Sequence, residues 1–377
     1  MPVLDLTDHA ARDRYAQFVR SHPRRALTQD PDWGIVKDDW GQEAVYLEED
    51  DGQGGRRITA AMSLLVRRLP GGFSVLYAPR GPLVDWDDHA QVEAILAEAA
   101  PLVTKHRAIM TKIDPEVPFT SELDGWLRSR DGWVVKNVGA GKDDLVQPRY
   151  CMVVYLQDED GQVLDEASLM KKYDGGTRNR VRSGKKKGVR TRHGASEADL
   201  GTFHEVYSFM ARRNEITARG LPYFRRMRQA FGDRMRIVHA EHEGDVLASS
   251  VTVDYYGKLY YLYAGSNDTK RNLGPNQVMN HDLMLWGLEN GAESYDMGGV
   301  FALDDSDGLY LFKRAFCKGD GGATEFIGEV DIVHHPALYA VLGRLVPRVQ
   351  KARRGVAARI SQGRKRLAER RSRSSAD

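Results

Sequence analysis

The stretch GKLYYLYAGSNDTKRNLGPNQVMNHDLMLWGLENGAESYDMGGVFALDDSDGLYLFK, Gly257 to Lys313, decides how this chain is read. Its KLYYLYAGS segment alternates as a half-buried strand does, and KRNLGPN breaks it. QVMNHDLMLWGLENG then spaces apolar residues helically up to a glycine, and a second strand runs toward the charged end LYLFK. Strand, basic glycine turn, helix, strand is an order that cradles phosphate, because the free N–H groups and the dipole of a helix start both favour an anion. Two residues oppose that use. Pro275 removes one donor, and Asn276 adds bulk where close approach needs a small side chain. The segment therefore fits an ordinary strand–turn–helix connection as well as a phosphate loop.

Outward from this stretch the same order occurs a second time. AVYLEED, ITAAMSLLVRRL and GFSVLYAP read as successive strands with turns at Asp51–Gly55 and Pro70–Gly72. A helix over HAQVEAILAEAAPLVTKH and a buried strand AIMTKIDP follow. CMVVYL opens a second unit, which continues through a basic helix pair, the helices TFHEVYSFMARRNEI and LPYFRRMRQAFG, and the strands RMRIVHAEHEG and VLASSVTVDYYG. ATEFIGEVDIVHHP reads as a last strand free to return to the first unit. The fold class is α+β, with units at 1–149, completed by a returning strand at about 320–335, and at 150–319. Residues 336–377 then form a basic tail whose apolar spacing predicts an amphipathic helix broken at Pro347.

The net charge of +2 hides an asymmetry: residues 171–192 carry +9 and residues 344–377 carry +10, leaving −17 on the rest. An acidic body with two basic segments points to a polyanionic partner met at defined places, and a solvated face with a loose tail is the plainer account. No apolar run is long enough to span a membrane, and the acidic start MPVLDLTDHA does not suit a secretory signal, so the sequence predicts a soluble cytoplasmic protein. Cys151 and Cys317 stand far apart and without metal-ligand spacing, which predicts two buried reduced thiols. No zinc or redox motif is present.

The turn at Arg271, Gly274 and Asn276 resembles the phosphate loop of acyl-CoA N-acyltransferases of the GNAT fold, with Asn in place of the last small residue. A broader resemblance covers almost the whole chain. TQDPDWGIVK, LYAPRGP, KIDPE, YLYAGS, YDMGGV and GLYLFKRAF, in this order, resemble the FemABX family, aminoacyl-tRNA-dependent transferases that build the side branches of peptidoglycan precursors. The resemblance implies two GNAT-like domains in tandem with a final strand returning to the first. The short link before TFHEVYSFMARR implies the FemX-like subgroup without a coiled-coil arm.

The implied reaction is aminolysis of an activated ester, which needs no protein nucleophile and rests on orientation and a positive charge near the developing oxyanion. Lys313 matches the family lysine in that charge role, and Phe312 beside it either stacks on the terminal adenine or packs in the core. Asp114 resembles a family aspartate near the acceptor amine, and Asp-Pro is equally a turn former. Arg219 and Tyr223 fit the family's Arg-x-x-x-Tyr pair on the precursor diphosphate, with Lys37 and Tyr263 as partners and Arg213 as the competing arginine. Arg180, Lys185, Lys186 and Lys187 lie in a basic segment without interleaved aromatics, which suits sequence-independent contact with tRNA phosphates.

The expected partners are aminoacyl-tRNA and a nucleotide-linked (UDP-N-acetylmuramyl-pentapeptide) or lipid-linked precursor. A peripheral contact of the tail with an anionic membrane surface is expected as well, and the protein is expected to be a monomer without cofactor or metal. Two alternatives stay open: an acyl-CoA-dependent N-acyltransferase acting on a small amine, and a nucleic-acid-binding protein without catalysis.

Overall fold

The computed structural model describes residues 3–141 and 144–343. The chain begins with helix α1 (His9–Ser21), whose N-terminal amides at Ala10 and Ala11 are satisfied by the Asp8 carboxylate. A single-turn helix α2 (Trp33–Val36) and a meander of β1 (Gly41–Asp50), β2 (Arg56–Arg68) and β3 (Ser74–Ala78) follow. The predicted helix over 89–106 forms as two pieces, α3 (His89–Glu98) and α4 (Ala100–His106), because Pro101 restarts it at the first turn. β4 (Ala108–Ile113), α5 (Ser121–Arg128) and β5 (Trp133–Lys136) complete this part.

The second part starts with β6 (Tyr150–Tyr155), α6 (Glu166–Lys172), α7 (Gly175–Lys186) and β7 (Arg190–Gly194). Then come α8 (Glu197–Arg213), α9 (Leu221–Phe231), and the strands β8 (Met235–His242), β9 (Asp245–Tyr255) and β10 (Lys258–Ser266). α10 (Pro275–Glu289) crosses from β10 to β11 (Ser294–Val300), and α11 (Gly308–Arg314) follows. GLYLFKR is thus a helix and not a strand end: Asp307 caps it by accepting from the Leu309 N–H at 2.7 Å, and Phe312 meets Phe316 edge to face one turn on.

Two mixed sheets result, ordered β1-β2-β3-β4-β13-β5 and β12-β6-β11-β10-β9-β8-β7. The expected single last strand forms as two: β12 (Ala323–Glu325) pairs with β6, and β13 (Glu329–Val333) inserts between β4 and β5 of the first sheet. The break falls at Gly328, whose φ of +95° cannot continue a strand, so the run before it stays at the edge of one sheet and the run after it enters the other. Separate cores lie under the first sheet, around Met62, Leu76 and Ile113, and under the second, around Val154, Met279 and Tyr295. A third core joins the halves. Trp33, Val36, Leu65 and Tyr77 pack with Tyr223, Phe224, Met227, Tyr255 and Tyr260, so burying this apolar surface holds α2 against α9. Asp30 adds a polar clamp to that joint, accepting from Arg20 Nε at 2.8 Å and from Tyr255 Oη at 2.9 Å. The basic tail, apart from a helical start at 336–343, lies outside the described residues.

Candidate active site

A cleft of about 1110 Å³ lies between the two sheets. Its opening follows from strand pairing. β10 and β11 run parallel only from Lys258–Ser294 to Tyr260–Asp296, after which they part, and β11 slips register against β6 between Asp296 and Gly299. Tyr261 and Tyr263 of β10 and Gly298 and Gly299 of β11 line the gap so created.

One end of the cleft is built for an anion. Lys37, at the C-terminus of α2, points its Nζ over the Tyr223 ring at 5.6 Å, and the Arg219 guanidinium stands over the same ring at 5.2 Å. Tyr263 Oη donates to Tyr223 Oη at 3.0 Å. Among the described residues neither Lys37 nor Arg219 has a carboxylate partner. Burial, reinforced by the nearby Arg219 charge, lowers the Lys37 ammonium to about 8. An oxyanion seated between them would relieve that repulsion. The four residues expected to hold a diphosphate thus meet in one place. Arg213 is instead held to Asp268 at 2.6 Å and stands outside the cleft lining.

At the floor stand Arg80, Glu116, Cys151 and Asp296. Glu116 is shared by Arg80 at 3.4 Å and Lys258 at 3.6 Å. Asp296 accepts from the Gly298 N–H at 2.6 Å and from the Cys151 thiol at 3.2 Å. Directly behind the Gly298–Gly299 turn, the Lys313 ammonium donates to the Gly299 carbonyl at 2.9 Å. Gly298 holds φ at +75°, so the turn needs glycine for its backbone, and a Cβ there would come into ordinary contact with Lys313 Nζ at 3.4 Å. Lys313 is 8% exposed, and burial lowers its pKa while Asp296 opposes the shift. Phe312 is half-buried against Phe316, with ring centres 5.4 Å apart.

Asp114 does not reach the cleft surface. Its carboxylate accepts from Tyr77 Oη at 2.7 Å and from the Arg80 N–H at 2.5 Å, and those two residues carry its influence into the cleft. Burial pushes it up to about 7, against the pull of the Arg80 charge. The neighbouring turn Pro79–Pro82 is pinned by Thr28 and Gln29 of the TQDPDW motif, both of which donate to the Pro79 carbonyl. Two motifs far apart in sequence are therefore one piece of structure.

With this geometry in place, comparison with known proteins decides the family. The FemAB family profile matches residues 11–245 and 238–345. The chain belongs to the FemAB family. A UDP-N-acetylmuramoylpentapeptide-lysine N(6)-alanyltransferase of Weissella viridescens is 36% identical over 346 residues, spanning 91% of this chain and 99% of that protein. A lipid II:glycine glycyltransferase of Staphylococcus haemolyticus (strain JCSC1435) is 24% identical over 412 residues, 89% of this chain and 94% of that one. The crystal structure of FemX matches with a TM-score of 0.77 at 21% identity, covering 91% of this chain and all of that one, which shows a shared fold.

The basic segment of this FemAB protein is partly spoken for. Lys185 is held by Asp282 at 2.5 Å, while Arg180, Lys186 and Lys187 are exposed on or just beyond α7. The turn at Arg271–Asn276 is covered by the same helix: a Cβ on Gly184 would stand 2.5 Å from the Leu273 carbonyl, so α7 lies directly on the loop. Sequence reasoning gave no role to Asp296, Glu116 or Arg80. The motifs YDMGGV, KIDPE and LYAPRGP contained all three, but nothing in their spacing says that they converge.

Proposed function

We infer that this chain transfers an aminoacyl group to a primary amine on the stem peptide of a peptidoglycan precursor, with aminoacyl-tRNA as the donor. The observation that carries this reading is one cleft with paired cations around Tyr223 at one end, suited to a diphosphate, and at the other the Gly298–Gly299 turn, behind which Lys313, itself outside the cleft lining, holds the Gly299 carbonyl. Lys37, Arg219, Tyr223 and Tyr263 hold the precursor. Charged hydrogen bonds to phosphate are the strong ones, so this end supplies most of the affinity.

The chemistry is attack of the amine nitrogen on the ester carbonyl carbon, with charge developing on the carbonyl oxygen and then on the departing ribose oxygen. Lys313 supplies the stabilising charge, and its poor solvation strengthens that effect at the reacting atoms. Phe312 provides an aromatic face beside it, and Asp114 acts by fixing Tyr77 and the Arg80 backbone. The donor's acceptor arm lies along α7, whose N-cap Asp174 is tied to the end of α11 by its N–H on the Ala315 carbonyl at 2.7 Å, leaving Arg180, Lys186 and Lys187 to meet phosphates. Lys185 adds charge to that face while staying bound to Asp282. The units 1–149 and 150–319 form the two walls of the cleft, and the basic residues 344–377 strengthen encounter with a polyanion or an anionic membrane surface. No helix among the described residues is long and apolar enough to cross a membrane.

Transfer of label from a set of charged tRNAs to a muramyl-pentapeptide precursor, with acetyl-CoA as a parallel donor, tests the reading. Label from aminoacyl-tRNA on the stem-peptide amine supports it, and acetylation without aminoacyl transfer overturns it.

A further inference from the structure

The acceptor amine poses a problem that the residues assigned so far do not solve. At neutral pH a primary alkyl amine is an ammonium without a lone pair, and it must lose a proton before it can attack. Lys313 is a cation and cannot take one, and Asp114 is enclosed by Tyr77 and the Arg80 backbone.

Asp296 has the required placement. It is the last β11 residue paired with β10, so its carboxylate stands where the two strands part and the cleft begins. It remains half-buried and reachable, whereas Asp114 is 2% exposed. Among the described residues no Lys or Arg lies within ion-pair distance of it, while the neighbouring Glu116 is occupied by Arg80 and Lys258. One of its oxygens accepts both of its hydrogen bonds, from Gly298 and from Cys151, leaving the other open to a ligand. The turn it holds through the Gly298 N–H is the turn whose Gly299 carbonyl holds Lys313. Proton acceptor and oxyanion charge are thereby fixed to the same four residues of backbone, Asp296–Gly299.

We propose that Asp296 is a further catalytic residue of this cleft, receiving the acceptor's ammonium and taking its proton. The proposal rests on the aminoacyl-transfer reading above. The carboxylate takes one proton from R–NH₃⁺, and the freed lone pair forms the C–N bond as the carbonyl electrons move onto oxygen. The intermediate collapses by breaking the C–O bond to the ribose. The departing oxygen receives the second nitrogen proton, and Asp296 returns the first to solvent.

The groups facing Asp296 are Cys151 on β6, Glu116 after β4, Arg80 after β3, Tyr260 on β10, Lys313 on α11, Cys317 just beyond α11 and its own neighbour Tyr295. Burial first, then the Glu116 charge, raise its carboxyl above the ordinary range, which makes it a better base once ionised.

The test compares wild type and Asp296→Asn with aminoacyl-tRNA and precursor across pH. The expected result is a fall in kcat of about 100-fold or more, the usual size of a general-base contribution, with precursor affinity within about twofold. The variant's rate should keep climbing with pH toward the pKa of the acceptor amine, while the wild-type rate levels off once Asp296 is ionised. Activity within about threefold of wild type, a loss confined to precursor affinity, or unchanged pH profiles would each overturn the assignment. If Asp296→Asn does not fold, Asp296→Ser with added formate replaces it: rescue supports the role and its absence refutes it. Lack of transfer by the wild-type protein refutes the functional reading itself, so the two failures are distinguishable.

Discussion

Each sheet contains one parallel strand pair bridged by helix, and the two pairs end differently. β3 and β4 stay paired from Ser74–Ala108 to Ala78–Ile113, and the aspartate that follows, Asp114, is sealed by Tyr77 and Arg80. β10 and β11 pair over three residues and part at Asp296, whose carboxyl faces the cleft. The third strand makes the difference. β13 pairs with β4 from Met110 to Ile113, so β4 is gripped on both edges, whereas β6 meets β11 with a register slip at the glycine turn. A similar supersecondary unit thus gives a structural carboxyl in one half and an open site in the other.

The most severe way to probe the open half is Lys313→Met, for which transfer should fall by about two orders of magnitude or more with precursor affinity kept, as loss of one oxyanion-directed donor commonly does. Steady-state kinetics with unchanged circular dichroism would check it, and near-normal turnover would remove Lys313 from the chemistry. Gly298→Ala should come next, because the left-handed backbone costs alanine about 1–2 kcal/mol and the turn it strains is the one whose Gly299 carbonyl holds the Lys313 ammonium. A drop of about tenfold in turnover is expected with a lowered melting temperature, and a silent mutation would show that the turn tolerates a side chain.

Smaller effects belong to the anion end. Lys37→Ala and Arg219→Ala should each raise the precursor KM by about tenfold, the usual scale for a lost charged hydrogen bond, with kcat little changed. Lys37 has its pKa lowered to about 8, so precursor binding should weaken as pH rises through that value and the ammonium is lost. Lys37→Arg should remove this dependence, since the guanidinium stays charged. A KM that is flat from pH 7 to pH 9 in the wild type, values chosen to bracket about 8, would break the assignment.

The smallest effect on activity is expected in the closed half. Asp114→Asn should change turnover by about fivefold or less, as for one neutral hydrogen bond, because Asn can keep the contact to the Arg80 N–H. Stability is the sharper readout. The folded pKa of Asp114 is raised from 3.8 to about 7, so its favourable contribution is complete below 3.8 and is lost as pH rises through about 7. Urea unfolding of Asp114→Asn should show a flatter stability profile between those values. A loss as large as that of Asp296→Asn would erase the contrast between the halves.

Much of this was legible in the chain. Alternating and helical apolar periods announced β1–β4 and β8–β10, and the motif order announced the family. The spacing of Arg219 and Tyr223, four residues across a helix start, pointed to a pair, while Arg213 stayed a candidate until the structure placed Arg219 over the Tyr223 ring. Short elements were not legible. β5, WVVK, is apolar but only four residues long, and β7, RTRHG, is polar over five, so they declare themselves only by pairing with β13 and β8. Lys313 was marked by its motif, but its helix was read as a strand because the continuous apolar run LYLF fits both periods over so short a length.

What the sequence alone determined is which local elements form and which chemical groups are present, because helical and strand periods, caps and turn residues act between near neighbours in the chain. What tertiary structure decided is which of those groups face one another. Asp114 follows the β4 run AIMTKI and Asp296 stands inside β11, SYDMGGV, and no local pattern says which of the two faces a cleft. The strand arriving from Glu329–Val333 encloses one, and the parting of β10 from β11 exposes the other, both through contacts between residues far apart in sequence.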